Sequence, residues 1–148
     1  MGHSTLVYRN LDFNTSNDIL SFLADKLKEE GYAKEGYKEA ILKREVEYPT
    51  GLPAEIKIAI PHCDHTLVNE SAIAVGVLNN TVNFQAMDDP SKTLDVQIVI
   101  MLALDEPHGH IEMLQKIVQL IKSSEDLKRI IEATSDEEVL QVINNYLN

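Results

Sequence analysis

The stretch DVQIVIMLAL (95–104) decides how the chain is read. Its β-branched residues Val96, Ile98, Val99 and Ile100 lie in a nearly continuous apolar run. That composition predicts a central strand, apolar on both faces, instead of the in–out alternation of a half-exposed one. Upstream, SAIAVGVL (71–78) reads as a second buried strand, and Asn79-Asn80 is a turn signal leading to a short strand around Val82 and Phe84. Further back, EIKIAI (55–60) alternates Ile56, Ile58 and Ile60 with Lys57 and Ala59, as a strand does. Pro61 has no N–H, so the ladder is expected to stop there and leave His62 and its neighbours exposed.

Downstream of the central stretch, DEPHG (105–109) is a loop. A helix begins near His110, with Ile111, Leu114, Ile117, Val118 and Ile121 on one stripe. Ser123 or Ser124 caps a short helix carrying Leu127, Ile130 and Ile131, and Ser135 with Glu138 forms a capping-box pattern for a last helix. At the other end, residues 1–15 read as an irregular N-terminus, and Met1-Gly2-His3 resembles a cloning remnant. Ile19, Leu20, Leu23 and Leu27 then recur at helical spacing, with Ser16 as N-cap and Gly31 as stop. Tyr37, Ala40 and Ile41 mark a second helix, ended by Pro49 and Gly51. Two helices, several strands and three helices make an α/β protein: a single-domain α/β sandwich over 1–148, its mixed β-sheet flanked by helices. Neither repeats nor a linker divides it.

Composition narrows the function. The chain has 148 residues and a formal charge of −11, from 24 acidic against 13 basic side chains. Such a surface repels nucleic acid and anionic lipid and attracts basic partners. No apolar run approaches the roughly 20 residues of a membrane helix, so direct membrane insertion is not expected. A lone cysteine, Cys63, excludes an internal disulfide, and the absence of a secretion-signal pattern completes a cytoplasmic expectation.

Apart from His3, the histidines fall in two segments, IPHCDH (60–65) and PHGH (107–110), each directly after a predicted strand. Ligand sites in α/β folds gather at strand ends, so the segments are expected to meet across one crevice. A neutral imidazole is a good nucleophile near neutral pH and forms a labile phosphoramidate. Phosphoryl transfer then needs charge neutralisation at the phosphoryl oxygens, which a second histidine, an arginine or a helix N-terminus supplies. His62 is the candidate nucleophile and His110, at a helix start, the candidate stabiliser. Which ring nitrogen of His62 reacts depends on what holds the other.

Arg44-Glu45, Pro49-Thr50-Gly51, Ile58-Ala59-Ile60-Pro61-His62 and His110-Ile111 with Leu114 together resemble the enzyme IIA domains of the fructose–mannitol class in the bacterial phosphoenolpyruvate-dependent phosphotransferase system. The resemblance extends roughly from Ile19 to Leu140. It implies that His62 is the phosphoryl acceptor (a tele-phosphohistidine candidate), that His110 stabilises the phosphoryl group, and that Arg44 neutralises it. It implies the histidine-containing phosphocarrier protein as donor and a cysteine of the cognate enzyme IIB as acceptor, with the membrane enzyme IIC served indirectly. Neither cofactor nor metal is implied. Ile-Pro-His-Cys (60–63) and Tyr-Pro-Thr-Gly (48–51) look like the galactitol branch.

Three other classes compete for the same residues. His62, Cys63, His65, His108 and His110 are acceptable zinc ligands, although neighbours such as His62 and Cys63 tend to point apart. A regulatory module would use the same phosphohistidine to signal to a partner protein. A cysteine hydrolase would use Cys63 with a histidine. His65 and His108 are otherwise expected to face solvent.

Overall fold

The computed structural model describes residues 3–148. Its elements run β1 (Ser4–Leu11), α1 (Ser16–Glu29), α2 (Tyr37–Glu47), β2 (Gly51–Leu52), β3 (Lys57–Ala59), β4 (Ala72–Gln85), β5 (Thr93–Ala103), α3 (Gly109–Ile121), α4 (Ser124–Glu132) and α5 (Asp136–Leu147). The strands form one mixed sheet in the order β1-β4-β5-β3-β2. The stretch read as the central strand is central: β5 pairs antiparallel with β4 and parallel with β3.

Alternate residues of β4 and β5 feed two cores. Ala72, Ala74, Val99 and Met101 pack under α1 and α2 with Ile19, Leu23 and Ile41. Ile73, Val75, Ile98 and Ile100 face α3, α4 and α5 with Ile117, Leu127 and Val139. Every one of these side chains is at most 1% exposed. Burying an aliphatic side chain contributes about 1.5–3 kcal/mol, and β4 and β5 collect that contribution on both faces. Among the described residues no helix is long and apolar enough to cross a membrane.

Side-chain caps account for three helix starts, those of α1, α4 and α5. Thr15, not Ser16, caps α1, its hydroxyl accepting from the Asp18 amide at 3.2 Å. Ser123 caps α4 through Asp126 N–H, and Ser135 caps α5 through Glu138 N–H. The reciprocal arm of the α5 box reaches one residue further back, with the Glu138 carboxylate accepting from the Thr134 hydroxyl at 2.7 Å. Gly31, at φ +88°, ends α1 in the left-handed conformation glycine tolerates.

Four expectations need correction. The N-terminal segment is not irregular over 4–11: β1 forms an edge strand parallel to β4, from Ser4 against Ala72 onward. Parallel pairing is non-local and leaves β1 half-buried, so its own pattern carries little signal. The remnant reading falls, for Met1 and Gly2, outside the described residues. Asn79-Asn80 makes no turn. β4 runs through it with a register shift between Val77 and Val82, and the Asn79 and Asn80 amides bond to the Asp12 carboxylate and the Phe13 carbonyl. The strand in 55–60 is shorter, only Lys57–Ala59. Finally, pairing outlasts Pro61: its carbonyl accepts Leu102 N–H at 2.9 Å, and His62 bridges to Leu102. Proline lacks the donor but keeps the acceptor.

Candidate active site

β3 and β5 are parallel neighbours, so their C-terminal ends lie at the same edge of the sheet. Pro61-His62 leaves one and the loop to α3 leaves the other. That places His62 and His110 side by side, ring centroids 4.6 Å apart and planes inclined by 32°. The two histidine segments do meet, as the strand-end argument predicts.

The rings line a cleft of about 270 Å³ with Arg44, Thr50 and Met87. Its floor is apolar, from Ile60, Leu102 and Leu114, and its rim carries Tyr48 and Ile111, which are 60% and 62% exposed. A larger hollow of about 510 Å³ lies at the start of α3, but it gathers Glu70, Asp105, Glu106 and Glu112 and would repel a phosphoryl group.

His62 is held by one bond. Its Nδ1 lies 2.9 Å from the Ile60 carbonyl oxygen, which can only accept, so Nδ1 carries the proton and Nε2 keeps its lone pair. Burial lowers the proton affinity of the ring, the Ile60 bond raises it and the Arg44 guanidinium lowers it, for a net downward shift from 6.5. The ring is therefore neutral near pH 7, with Nε2 unprotonated.

His110 stands in the first turn of α3, where the helix dipole also disfavours a positive ring. Burial first, then His62 and Arg44, push it down to about 4. Its Nε2 is buried and makes no hydrogen bond. An unpaired buried nitrogen costs about 1–3 kcal/mol, a cost removed when a bound group supplies the partner.

Arg44, near the end of α2, is exposed and stacks over the Tyr48 ring at 4.9 Å. The arginine is thereby kept at the cleft, where both histidines feel its charge.

The remaining candidates stand elsewhere. Cys63 is 5% exposed in the α1–α2 core, its thiol pushed up to about 11 by burial, which makes it a poor nucleophile. His62 lines the cleft while Cys63 faces that core, so the two cannot share a metal, and no three His, Cys, Asp or Glu side chains gather as a metal site among the described residues. His65 opens a single 3₁₀ turn beside Asp64, and His108 is an exposed residue at the start of α3. Neither lines the cleft.

Glu45 and Thr50 are a pair to which sequence reasoning assigns no role, although both lie in motifs it singles out. Thr50, only 2% exposed, gives its amide and hydroxyl to the Glu45 carboxylate at 2.7 and 2.8 Å. A signal is present in the sequence: an acid at the end of a helix, followed by Pro-Thr-Gly. Gly51 is required by close approach, because a Cβ there would lie 2.7 Å from the Gln85 carbonyl oxygen.

Residues 3–146 match the family described as the phosphoenolpyruvate-dependent sugar phosphotransferase system, EIIA 2. The galactitol-specific EIIA component of Escherichia coli (strain K12) is 27% identical over 126 residues, 84% of this chain and 83% of that protein. A nitrogen regulatory protein of Klebsiella oxytoca is 30% identical over 129 residues, 85% of this chain and 75% of that protein. The complex of enzyme IIAMTL with phosphorylated enzyme IIBMTL from Escherichia coli shares the fold with a TM-score of 0.78 at 22% identity, over 94% of each chain. The chain therefore belongs to the EIIA 2 family of the phosphoenolpyruvate-dependent sugar phosphotransferase system and is one of its phosphoryl-transferring components.

Proposed function

We propose that His62 is the phosphoryl acceptor and that Nε2 is the atom that carries the group. The observation that carries this reading is the bond from Nδ1 to the Ile60 carbonyl, which leaves Nε2 unprotonated in a cleft shared with His110 and Arg44. The Nε2 lone pair attacks the phosphorus of a phosphohistidine on the histidine-containing phosphocarrier protein. The donor's N–P bond breaks, its electron pair returns to the donor ring, and the Nδ1 proton of His62 stays where it is. In the second step a cysteine thiolate of the cognate enzyme IIB attacks the phosphorus and the Nε2–P bond breaks. The Arg44 guanidinium and an N–H at His110 Nε2 neutralise the phosphoryl oxygens.

The apolar rim at Tyr48 and Ile111, within a chain of charge −11, suits a basic donor protein. Enzyme IIB as acceptor is supported by the IIAMTL–IIBMTL complex, whose fold this chain shares. Galactitol as the final substrate, by way of a membrane enzyme IIC, is supported by the Escherichia coli relative and by Tyr48-Pro49-Thr50-Gly51 and Cys63. One domain working in the cytoplasm completes the reading.

Intact mass after incubation with phosphoenolpyruvate, enzyme I and the phosphocarrier tests it. One acid-labile phosphoryl addition on the wild type, absent from a folded His62→Ala variant, is expected. No addition to the wild type beside a working control overturns it. The Klebsiella relative favours a second reading, in which the phosphohistidine signals to a partner protein. Phosphorylated protein that withholds its group from the cognate enzyme IIB would select that reading.

A further inference from the structure

Glu45 does not line the cleft, yet both its carboxylate oxygens are engaged by one residue. Oε2 accepts the Thr50 amide at 2.7 Å and Oε1 the Thr50 hydroxyl at 2.8 Å. Burial pushes the Glu45 carboxyl up to about 7, and only the two Thr50 bonds work against that rise. The connection continues toward the cleft. The Thr50 carbonyl accepts Ile60 N–H at 3.2 Å, and the Ile60 carbonyl accepts His62 Nδ1–H at 2.9 Å. Gly51, the next residue, lies close against the Gln85 carbonyl.

We propose that Glu45 is a positioning residue for His62: by clamping Thr50 it fixes the Ile60 carbonyl that selects the reactive tautomer of the ring. The proposal rests on His62 being the phosphoryl acceptor. The coupling is geometric and not an electronic relay. At Thr50 and again at Ile60 the bonds enter through one peptide group and leave through another, so polarisation does not pass along them, whereas position does. A neutral imidazole in water exchanges its proton between two nitrogens; a carbonyl held beside Nδ1 stops that exchange. Without the clamp, Thr50 has no side-chain partner, and β2 is held through its next two residues, Gly51 paired with Ala59 and accepting Met87 N–H at 2.8 Å, and Leu52 paired with Ile58.

The test reads the imidazole 15N shifts of the unphosphorylated full chain at about pH 8, where the ring is neutral. Wild type is expected to show a protonated Nδ1 and a free Nε2 at His62. Glu45→Ala is expected to average the two tautomers and to slow phosphoryl acceptance by about tenfold or more. Glu45→Gln is expected to restore both, because its amide oxygen accepts Thr50 N–H and its amide nitrogen donates to the Thr50 hydroxyl. A folded Glu45→Ala with wild-type shifts and rate overturns the proposal. Where Glu45→Ala does not fold, Glu45→Asp replaces it, with the same charge and a shorter reach, and an unchanged tautomer again overturns it. The shifts need no phosphoryl group, so failure of the clamp is separated from failure of His62 to accept phosphate.

Discussion

The imidazoles of His62 and His110 lie with centroids 4.6 Å apart, although one follows β3 and the other opens the helix after β5. Each is half-buried, each is shifted toward the neutral form, and the Arg44 charge acts on both in the same direction. In this pair of neutral rings beside a guanidinium, the His62 Nε2 lone pair is free and His110 Nε2 is buried without a partner. An incoming phosphoryl group can engage both.

His110→Gln should separate chemistry from stability. Transfer should slow by about 10²-fold, the scale of losing one preorganised donor, measured by rapid-quench transfer to enzyme IIB. His110 is held at about 4 in the fold against an ordinary 6.5. The unfolded chain thus binds more protons, and the stabilisation present above 6.5 is lost as pH falls toward 4. Solvent screening limits that contribution to about 1–2 kcal/mol. Glu45 runs the other way: raised from 4.5 to about 7, it contributes stability below 4.5 that is lost as pH rises through 7. Urea midpoints at about pH 7.5 and about pH 4.5 should show a smaller acid loss in the variant than in wild type. An identical loss would mean that His110 does not titrate in this way.

Arg44→Ala should slow phosphoryl acceptance by roughly 10- to 10²-fold and leave thermal stability nearly unchanged, since the side chain is exposed and its main contact is the Tyr48 ring. Removing the guanidinium should also raise the proton affinity of both histidines, moving the acid limb of the pH–rate profile upward. A profile that does not move would show that Arg44 acts outside the site.

Ile111→Ser should leave folding intact, because the side chain is 62% exposed, while raising KM for the donor protein several-fold. Steady-state kinetics with the phosphocarrier as varied substrate gives the answer. An unchanged KM would remove the rim from the docking surface.

Gly51→Ala places a methyl group 2.7 Å from the Gln85 carbonyl oxygen, backbone against backbone, so neither side yields cheaply. A destabilisation of about 1–3 kcal/mol is expected by urea unfolding. Wild-type stability would show that β2 is free to shift.

Much of the fold was legible from pattern alone. The β5 run, the helical stripes and the caps at Ser123 and Ser135 all express local rules, in which side chains three or four apart share a helix face and a serine satisfies its own helix start. The histidines of the site were legible for a related reason, since each directly follows a strand. What escaped was non-local. β1 is a strand because β4 lies beside it, and Asn79-Asn80 stays extended because Asp12 and Phe13 offer partners. Neither partner is adjacent in sequence.

Residue type and spacing alone specify the layers, the nucleophile candidate and its Ile-Pro-His setting. The assembled sheet makes β3 and β5 parallel neighbours, which puts His62 against His110, and turns the Ile60 carbonyl to Nδ1, which leaves Nε2 free. Strand order and hydrogen-bond direction are properties of chain segments brought together in space, and they come into being only when the sheet closes over its two cores.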